Sequence, residues 1–99
     1  MTEQRKALSE SEIAGRLAGL PEWRLVGGKL RRELRFEDFS RAFAFMTRVA
    51  LIAEKLDHHP DWSNVYNRLT IDLWTHDVGG ITERDVEFAQ AVSKIIDIA

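Results

Sequence analysis

Residues 54–62 read Glu-Lys-Leu-Asp-His-His-Pro-Asp-Trp, and this stretch decides where the longest helix of the chain ends. The residue before a proline is pushed out of the α region, so a helix that runs towards Pro60 should end by about His58. Glu54, Asp57 and His58 stand at i, i+3 and i+4, which predicts that they share one face of the last helical turn. The sequence therefore predicts carboxylates and imidazoles grouped at a helix end.

The residues before this stretch carry the strongest helical pattern in the sequence. Apolar side chains keep a spacing of three or four across residues 39–56, and Asp38 can cap the first turn. The predicted core stripe consists of Phe39, Ala42, Phe43, Met46, Val49, Ala50, Ala53 and Leu56. Phe45, Leu51 and Ile52 fall outside that stripe, so the helix is apolar on a second side. We interpret this second side as an oligomer interface.

Four short runs have the composition of strands: residues 23–26, 29–36, 64–66 and 69–74. The Gly27-Gly28 pair predicts a two-residue hairpin between the first two runs, because glycine takes positive φ readily. Asn67-Arg68 is typical of a tight turn between the last two runs. The last run alternates apolar and polar residues, which predicts a half-buried strand.

Capping-box patterns predict a helix near each end of the chain. Ser9 with Glu12 begins the first helix, which Pro21 closes, and Thr82 with Asp85 begins the last. We therefore predict one α+β domain over residues 1–99, in the order αββαββα, with residues 1–8 flexible. Hairpin connections favour a four-stranded antiparallel sheet with the three helices packed on one face.

The composition is that of an ordinary soluble globular domain, with 44% hydrophobic and 30% charged residues. No apolar run approaches a membrane span and no signal core is present, so the cytoplasm is the expected compartment. The chain has no cysteine, which excludes disulfides and thiolate metal sites. A net charge of −2 gives nucleic acid no global electrostatic support. We interpret a local basic group as a solvated strand face: Arg24, Lys29, Arg31, Arg32 and Arg35.

All three histidines lie where a predicted element ends. His58 and His59 follow the long helix, and His76 follows the last strand, just before Gly79-Gly80. Imidazole both gives and takes a proton near neutrality, so two placed imidazoles can serve as acid and base in one turnover. Neighbouring carboxylates can fix a tautomer and favour the charged form. The grouping favours a functional site.

Other chemistries find less support. Glu54, Asp57 and His58 resemble half of a carboxylate-rich metal site, but a second inward pair on a neighbouring helix is absent, so no metal site is predicted. The sequence has neither a Gly-x-Ser-x-Gly elbow nor a glycine-rich phosphate or dinucleotide loop.

The histidine segments carry a resemblance to a known family. Residues 54–62 are followed by Asn-Val-Tyr-Asn at 64–67, Thr-His-Asp at 75–77, Gly-Gly-Ile-Thr at 79–82 and Asp85. Together with residues 39–50, this order resembles the pterin-4a-carbinolamine dehydratase family, over roughly residues 9–96. The resemblance implies a fold of four antiparallel strands and three helices, assembled as a dimer or a dimer of dimers.

The resemblance also implies a hydro-lyase. Family members dehydrate the 4a-hydroxytetrahydropterin released by aromatic amino-acid hydroxylases, which gives the quinonoid dihydropterin and supports tetrahydrobiopterin recycling. The substrate would be a pterin, and the functional partner would be a phenylalanine hydroxylase. The resemblance implies neither a metal nor a redox cofactor. The reaction removes the hydroxyl from ring carbon C4a of the pterin as water and a proton from ring nitrogen N5. The first step calls for a general acid and the second for a general base.

Carried over by position, the catalytic residues are His58, His59 and His76. The substrate-binding residues implied are these three histidines with Glu54, Asp57, Trp62, Trp74, Thr75 and Asp77. We hypothesise that His58 and His76 move protons and that His59 orients the ring. Trp74 departs from the family, in which a small polar residue is expected before Thr-His. We interpret Asp85 as a helix cap.

Two further functions stay open at this point. Animal members of the family also serve as dimerisation cofactors of a homeodomain transcription factor, and the apolar second side of the long helix is compatible with protein binding. Self-association as a homodimer or homotetramer would use residues 38–57 and the sheet edges. A dehydratase acting on a different pterin, for example in molybdenum-cofactor metabolism, is the other alternative. No direct contact with nucleic acid or membrane is expected.

Overall fold

The computed structural model describes residues 6–98, and over this range the chain forms three helices and four strands. They are α1 (Glu10–Leu17), β1 (Arg24–Val26), β2 (Lys29–Arg35), α2 (Phe39–Leu56), β3 (Asp61–Val65), β4 (Arg68–Leu73) and α3 (Glu83–Ile98). This order confirms the predicted αββαββα arrangement. The flexibility predicted for residues 1–8 falls mostly on residues 1–5, which lie outside the described residues. The amide of Leu8 donates to the carbonyl of Ile81 at 2.8 Å.

Helix α1 begins with the predicted capping box. The amide of Glu12 donates to Ser9 Oγ at 3.2 Å, and the amide of Ser9 donates to Glu12 Oε1 at 2.9 Å. Helix α1 also joins α3 through an ion pair, in which Arg16 Nε donates to Glu83 Oε1 at 3.0 Å and its terminal nitrogen contacts the second carboxylate oxygen. The first and last helices are thereby linked.

This ion pair predicts a pH-dependent contribution to stability. Hydrogen bonding to Arg16, followed by Coulomb attraction, outweighs desolvation and lowers the pKa of Glu83 below its ordinary value of 4.5. A carboxyl with a lowered folded pKa stabilises the fold above its unfolded pKa, and this is lost as pH falls through the folded value. We expect Glu83→Gln to lower the urea midpoint at neutral pH and to leave it unchanged in acid.

The comparison is made by urea unfolding of both proteins at about pH 7 and about pH 3. Glu87→Gln removes the same charge from an exposed position on the same helix, and it serves as the matched control. The effect should be small because half-exposed ion pairs are screened by water and salt. An equal gap between Glu83→Gln and the parent at both pH values would contradict the assignment.

The first hairpin is as predicted. Gly27 and Gly28 have φ values of 57° and 80°, and Val26 pairs with Lys29 directly across the turn. Both central residues thus occupy the left-handed region, which the twist of a two-residue hairpin requires. Glycine takes this region without a Cβ clash.

The second hairpin differs from its prediction by a shift along the chain. Strand β3 begins at Asp61 immediately after Pro60, so the predicted strand at residues 64–66 was wrong in position. The turn is made by Tyr66 and Asn67, with Tyr66 at a φ of 53°. The side chain of Asn64 donates to the carbonyls of Tyr66 at 3.0 Å and Arg68 at 2.8 Å. These bonds satisfy the turn backbone, which lets a non-glycine residue take the left-handed conformation.

The four strands form one antiparallel sheet in the order β1-β2-β4-β3. Its inner face supplies buried residues to the core, namely Leu30, Leu69, Ile71 and Leu73. The opposite face is polar. On it Arg31 donates to both oxygens of Asp72 at 2.7 and 2.9 Å, and Arg24 pairs with Glu33. Arg24 and Arg31 are thus matched by acidic residues of the same face, as expected of a solvated strand face, whereas Arg32 pairs with Ile71 and lies on the inner face, contrary to the prediction.

Helix α2 packs on the sheet through a face rotated from the predicted one. The buried residues are Ala42, Phe45, Val49 and Ala53. Phe45 contacts Phe36 with ring centroids 5.2 Å apart, whereas Phe39 and Phe43 are 48% and 56% exposed. The predictions that Phe39, Phe43 and Ala50 belong to the core and that Phe45 lies on the interface side were therefore wrong. Both faces of the helix are apolar, so spacing alone does not identify the face that meets the sheet.

Candidate active site

A cleft of about 230 Å³ opens where the ends of three elements meet, namely the C-terminus of α2, the C-terminus of β4 and the N-terminus of α3. Six predicted site residues line it, namely Asp57, His58, His59, Thr75, His76 and Asp77. The fold therefore brings together two segments that lie about twenty residues apart in the sequence. Pro60, Asp61 and Arg84 complete the lining.

The end of α2 gives His58 and His59 their directions. Asp57 takes the left-handed conformation with a φ of 50°, and the amide of His58 then donates to the carbonyl of Ala53 at 3.1 Å. This is a helix C-terminus in which a left-handed residue reverses the chain. The prediction that Glu54, Asp57 and His58 share one helical face was wrong, because helical geometry ends before Asp57.

Arg84 reinforces this helix end from α3. Its guanidinium donates to the carbonyl of Asp57, one of the terminal carbonyls of α2 that lack helical partners. A cation at this position also complements the negative end of the helix dipole. Sequence reasoning did not identify Arg84, since the contact depends on α2 and α3 meeting in space.

His58 is buried and paired with the carboxylate of Asp85. Its Nε2 lies 2.6 Å from Asp85 Oδ1, and only 8% of the residue is exposed. The imidazole also packs edge-on against Phe88, with ring centroids 6.2 Å apart. His58 is therefore fixed to α3 by one polar and one aromatic contact.

The hydrogen bonds around Asp85 assign the proton of His58. Asp85 Oδ2 accepts from the Thr82 amide at 2.9 Å and from the Thr75 hydroxyl at 2.8 Å. The Thr75 hydroxyl in turn lies 2.8 Å from that of Thr82, which can donate to it. An ionised carboxylate only accepts, so Nε2 of His58 carries a proton and Nδ1 is left with the lone pair of the neutral ring. His58 has the tautomer of a base whose free nitrogen is Nδ1.

His59 and His76 are exposed, in contrast to His58. His59 Nε2 lies 2.9 Å from Glu54 Oε2, so the imidazole that Glu54 contacts is that of His59. The ring of His76 packs on the indole of Trp74, with centroids 4.1 Å apart, and its Nε2 lies 3.7 Å from Asp61 Oδ2. The cleft thus combines one anchored imidazole with two that solvent can reach.

The remaining predicted residues occupy the surroundings of the cleft. Glu54 and Trp74 do not line the cleft, but they contact His59 and His76, which do. Trp62 pairs with Ile71 on the inner face of the sheet and packs against the core, so its position fits sheet packing. Asp85 is a helix cap, as expected, because it accepts the Thr82 amide; it also holds His58.

Two features of the described residues bear on other site types. Over residues 6–98, no helix is both long and apolar enough to cross a membrane. The same part of the chain contains no group of three or more histidine, aspartate or glutamate side chains that could hold a metal ion.

The site and fold together define a class: an α+β protein whose cleft presents imidazoles for acid–base chemistry. A family model for pterin 4 alpha carbinolamine dehydratase matches residues 6–95. A provisionally named pterin-4-alpha-carbinolamine dehydratase of Solibacter usitatus is 60% identical over 82 residues, which cover 83% of this chain and 86% of the relative. A similarly named protein from Synechococcus sp. strain WH7803 is 55% identical over 76 residues, which cover 77% of this chain and 82% of that relative.

A solved structure agrees with these sequence matches. The crystal structure described as transcriptional coactivator/pterin dehydratase from Brucella melitensis has a TM-score of 0.87 and 46% identity, and the match covers 91% of this chain and 98% of that one. The chain belongs to the pterin-4a-carbinolamine dehydratase family. Its enzyme class is that of the hydro-lyases.

Proposed function

We propose that this protein dehydrates a 4a-hydroxytetrahydropterin to the quinonoid dihydropterin, with His58, His59 and His76 as the catalytic residues. The observation that carries the proposal is the single cleft shared by the three imidazoles, one of them fixed by a buried carboxylate. Family membership supports the substrate class.

The reaction requires two proton movements and no change of redox state. The C4a–O bond breaks and the hydroxyl leaves as water after receiving a proton. The N5–H bond breaks, its electron pair forms the C4a=N5 double bond, and the proton passes to a base. One proton is gained and one is lost by the enzyme, so an acid and a base in one cleft suffice.

His58 suits the role of the base. Because Asp85 binds its Nε2–H, the lone pair of Nδ1 is available, and the carboxylate stabilises the imidazolium that forms on proton uptake. His76 suits the role of the acid, since it lines the same cleft from the other segment. His59 would orient the pterin ring, itself held by Glu54.

A coupled assay tests the proposal. A phenylalanine hydroxylase generates the carbinolamine, and its absorbance is followed with and without the purified protein. We expect the protein to accelerate the decay, and we expect the combined His58→Ala and His76→Ala protein to lose this acceleration. Absence of acceleration by the parent protein would reject the dehydratase. Acceleration would support a role in tetrahydrobiopterin recycling beside such a hydroxylase.

The apolar outer face of α2 supports a second candidate function, docking of another chain. Phe39, Phe43 and Leu51 are 48%, 56% and 67% exposed on this helix. Large exposed apolar residues grouped on one helix are typical of interaction surfaces. The Brucella melitensis protein is described as a transcriptional coactivator as well as a dehydratase. We propose that this face assembles the protein as a homodimer or homotetramer and that the same face is suited to a foreign helix.

Substitution of this face should weaken self-association. Phe43→Glu places a charge in the centre of the proposed interface, and we expect the association constant to fall by about thirtyfold or more, as for a buried aromatic anchor. Light scattering after size-exclusion chromatography gives the mass. Ala14→Glu adds the same charge to exposed helix α1 as the control. A parent protein that is monomeric throughout, or an unchanged mass for Phe43→Glu, would contradict the interface.

A further inference from the structure

Three side chains form a cluster with His76 on the polar side of the sheet. We call Lys29, Asp61, Trp74 and His76 the indole cluster. Trp74 Nε1 donates to Asp61 Oδ2 at 2.5 Å, and Lys29 Nζ lies 5.1 Å from the indole centroid and 3.8 Å from the same carboxylate oxygen. The indole is thus surrounded by an imidazole, a carboxylate and an ammonium group.

The backbone register explains why these residues meet. Leu30 pairs with Leu73 on the inner face, so Lys29, which precedes Leu30, and Trp74, which follows Leu73, project from the polar face. Asp61 begins the neighbouring strand β3 and pairs with Asp72. The cluster therefore combines one residue of β2 and one of β3 with two residues of the segment that follows β4.

From these contacts we infer that Trp74 is a positioning residue for His76. The inference rests on the proposed function, which makes His76 the proton donor. The indole acts in two ways: its face packs on the imidazole at 4.1 Å, and its N–H fixes the carboxylate that faces His76 Nε2. An aliphatic residue at this position would supply neither contact.

The exposure of His76 makes such support necessary. Its side chain is 59% exposed, and Asp61 at 3.7 Å is too far for a direct hydrogen bond in this arrangement. An exposed imidazole without further contacts samples several rotamers, and proton transfer requires one of them. The indole supplies a broad surface against which the ring is held. Lys29 also contacts the indole, through a cation–π interaction.

Substitutions separate the two actions of Trp74. Trp74→Leu removes both, and we expect kcat to fall about tenfold or more with little change of KM, because misplacement of a catalytic group by a fraction of an ångström slows the chemical step. Trp74→Phe keeps an aromatic face and removes only the N–H. Asp61→Ala removes the acceptor of that same bond. Each of these should lower kcat about threefold, the effect of one modest hydrogen bond.

The combination of Trp74→Phe with Asp61→Ala is the sharpest test. The bond between Trp74 and Asp61 is lost in both single variants, so the double variant should be no slower than Asp61→Ala alone. A ninefold loss, the product of two threefold losses, would show independent roles and overturn the inference. Trp23→Phe is the matched control, because it also deletes an indole hydrogen bond, the one to Ser93 Oγ, at a buried site away from the cleft.

A second measurement does not depend on activity. In NMR spectra of the ligand-free protein, the ring protons of His76 should be displaced by the indole ring current, and Trp74→Leu should return them towards free-histidine values. Trp23→Phe should leave them in place. Unmoved His76 resonances in Trp74→Leu would overturn the inference, as would a raised KM with unchanged kcat, which would make Trp74 a binding residue only. A parent protein without dehydratase activity would reject the proposed function, and the resonances would still decide whether Trp74 positions His76.

Discussion

Asp85→Asn is expected to lower the dehydratase rate by two or more orders of magnitude while the protein stays folded. A carboxylate-to-amide change beside a catalytic histidine elsewhere costs about 10⁴ in kcat by trapping the wrong tautomer. Here the amide oxygen is expected to keep the Thr82 amide and Thr75 hydroxyl as donors, which turns the NH₂ group towards His58. Nε2 of His58 would then accept, and its proton would move to Nδ1.

The expected consequence is a base whose reacting nitrogen is already protonated. The imidazolium would also lose its stabilising charge, which adds to the effect on the rate. The free energy of unfolding should fall by about 2 kcal/mol, because a charge-assisted hydrogen bond in a buried site is replaced by a neutral one. Asp85 acts on the reaction through His58, so it is a positioning residue.

Three measurements check this prediction. The rate is taken from the coupled assay, the tautomer from the ring ¹⁵N shifts of His58, and the stability from urea unfolding. Glu83→Gln is the matched control: it makes the same chemical change on the same helix, in a carboxylate that contacts Arg16 outside the cleft. An Asp85→Asn protein with the parent rate, or with Nε2 of His58 still protonated, would remove Asp85 from the mechanism.

His76→Ala should produce the second large effect, a loss of activity without a loss of stability. Removal of a general acid typically lowers the rate by about 10²–10⁴-fold. The side chain is 59% exposed and lies in the segment between β4 and α3 that is closed by the backbone bonds between Thr75 and Gly80. We expect the unfolding free energy to change by no more than about 0.5 kcal/mol.

His59→Ala is the informative comparison for this variant. If His59 orients the ring, its loss should raise KM more than it lowers kcat, whereas loss of His76 should act mainly on kcat. Both histidines are equally open to solvent, so a difference between them would reflect chemistry and not folding. Full dehydratase activity of His76→Ala at neutral pH would exclude His76 as the acid.

Element order and hairpin pairing could be predicted because they depend on local signals. The Gly27-Gly28 pair, the Ser9 capping box and the alternation in β4 each act within a few residues. The burial of α2 depended on which of two apolar faces meets the sheet, and only the packed arrangement decides this. The turn at Tyr66 was misplaced because its left-handed conformation is made possible by the side chain of Asn64.

The residues of the site also differ in how far the sequence predicts them. The three histidines were found because imidazoles at element ends are unusual and because their spacing resembles a family. Their partners were harder to assign. Asp57 leaves the helix in a left-handed conformation, so Glu54 contacts His59, and the burial of His58 against Asp85 depends on α3 crossing the end of α2. The capping pattern predicts that Asp85 lies in the first turn of a helix, but it does not predict the contact of Asp85 with His58.

The double use of Asp85 affects how relatives of this protein should be compared. The carboxylate that fixes His58 also begins α3 and satisfies buried Thr75, so selection for folding alone would retain it. A relative that has lost catalysis and serves only as a docking module could keep Asp85 and His58 unchanged. His59 and His76 are exposed and make few contacts with the core, so nothing in the folded state requires them. Their presence or absence in a homologue is therefore the better marker of retained enzymatic activity.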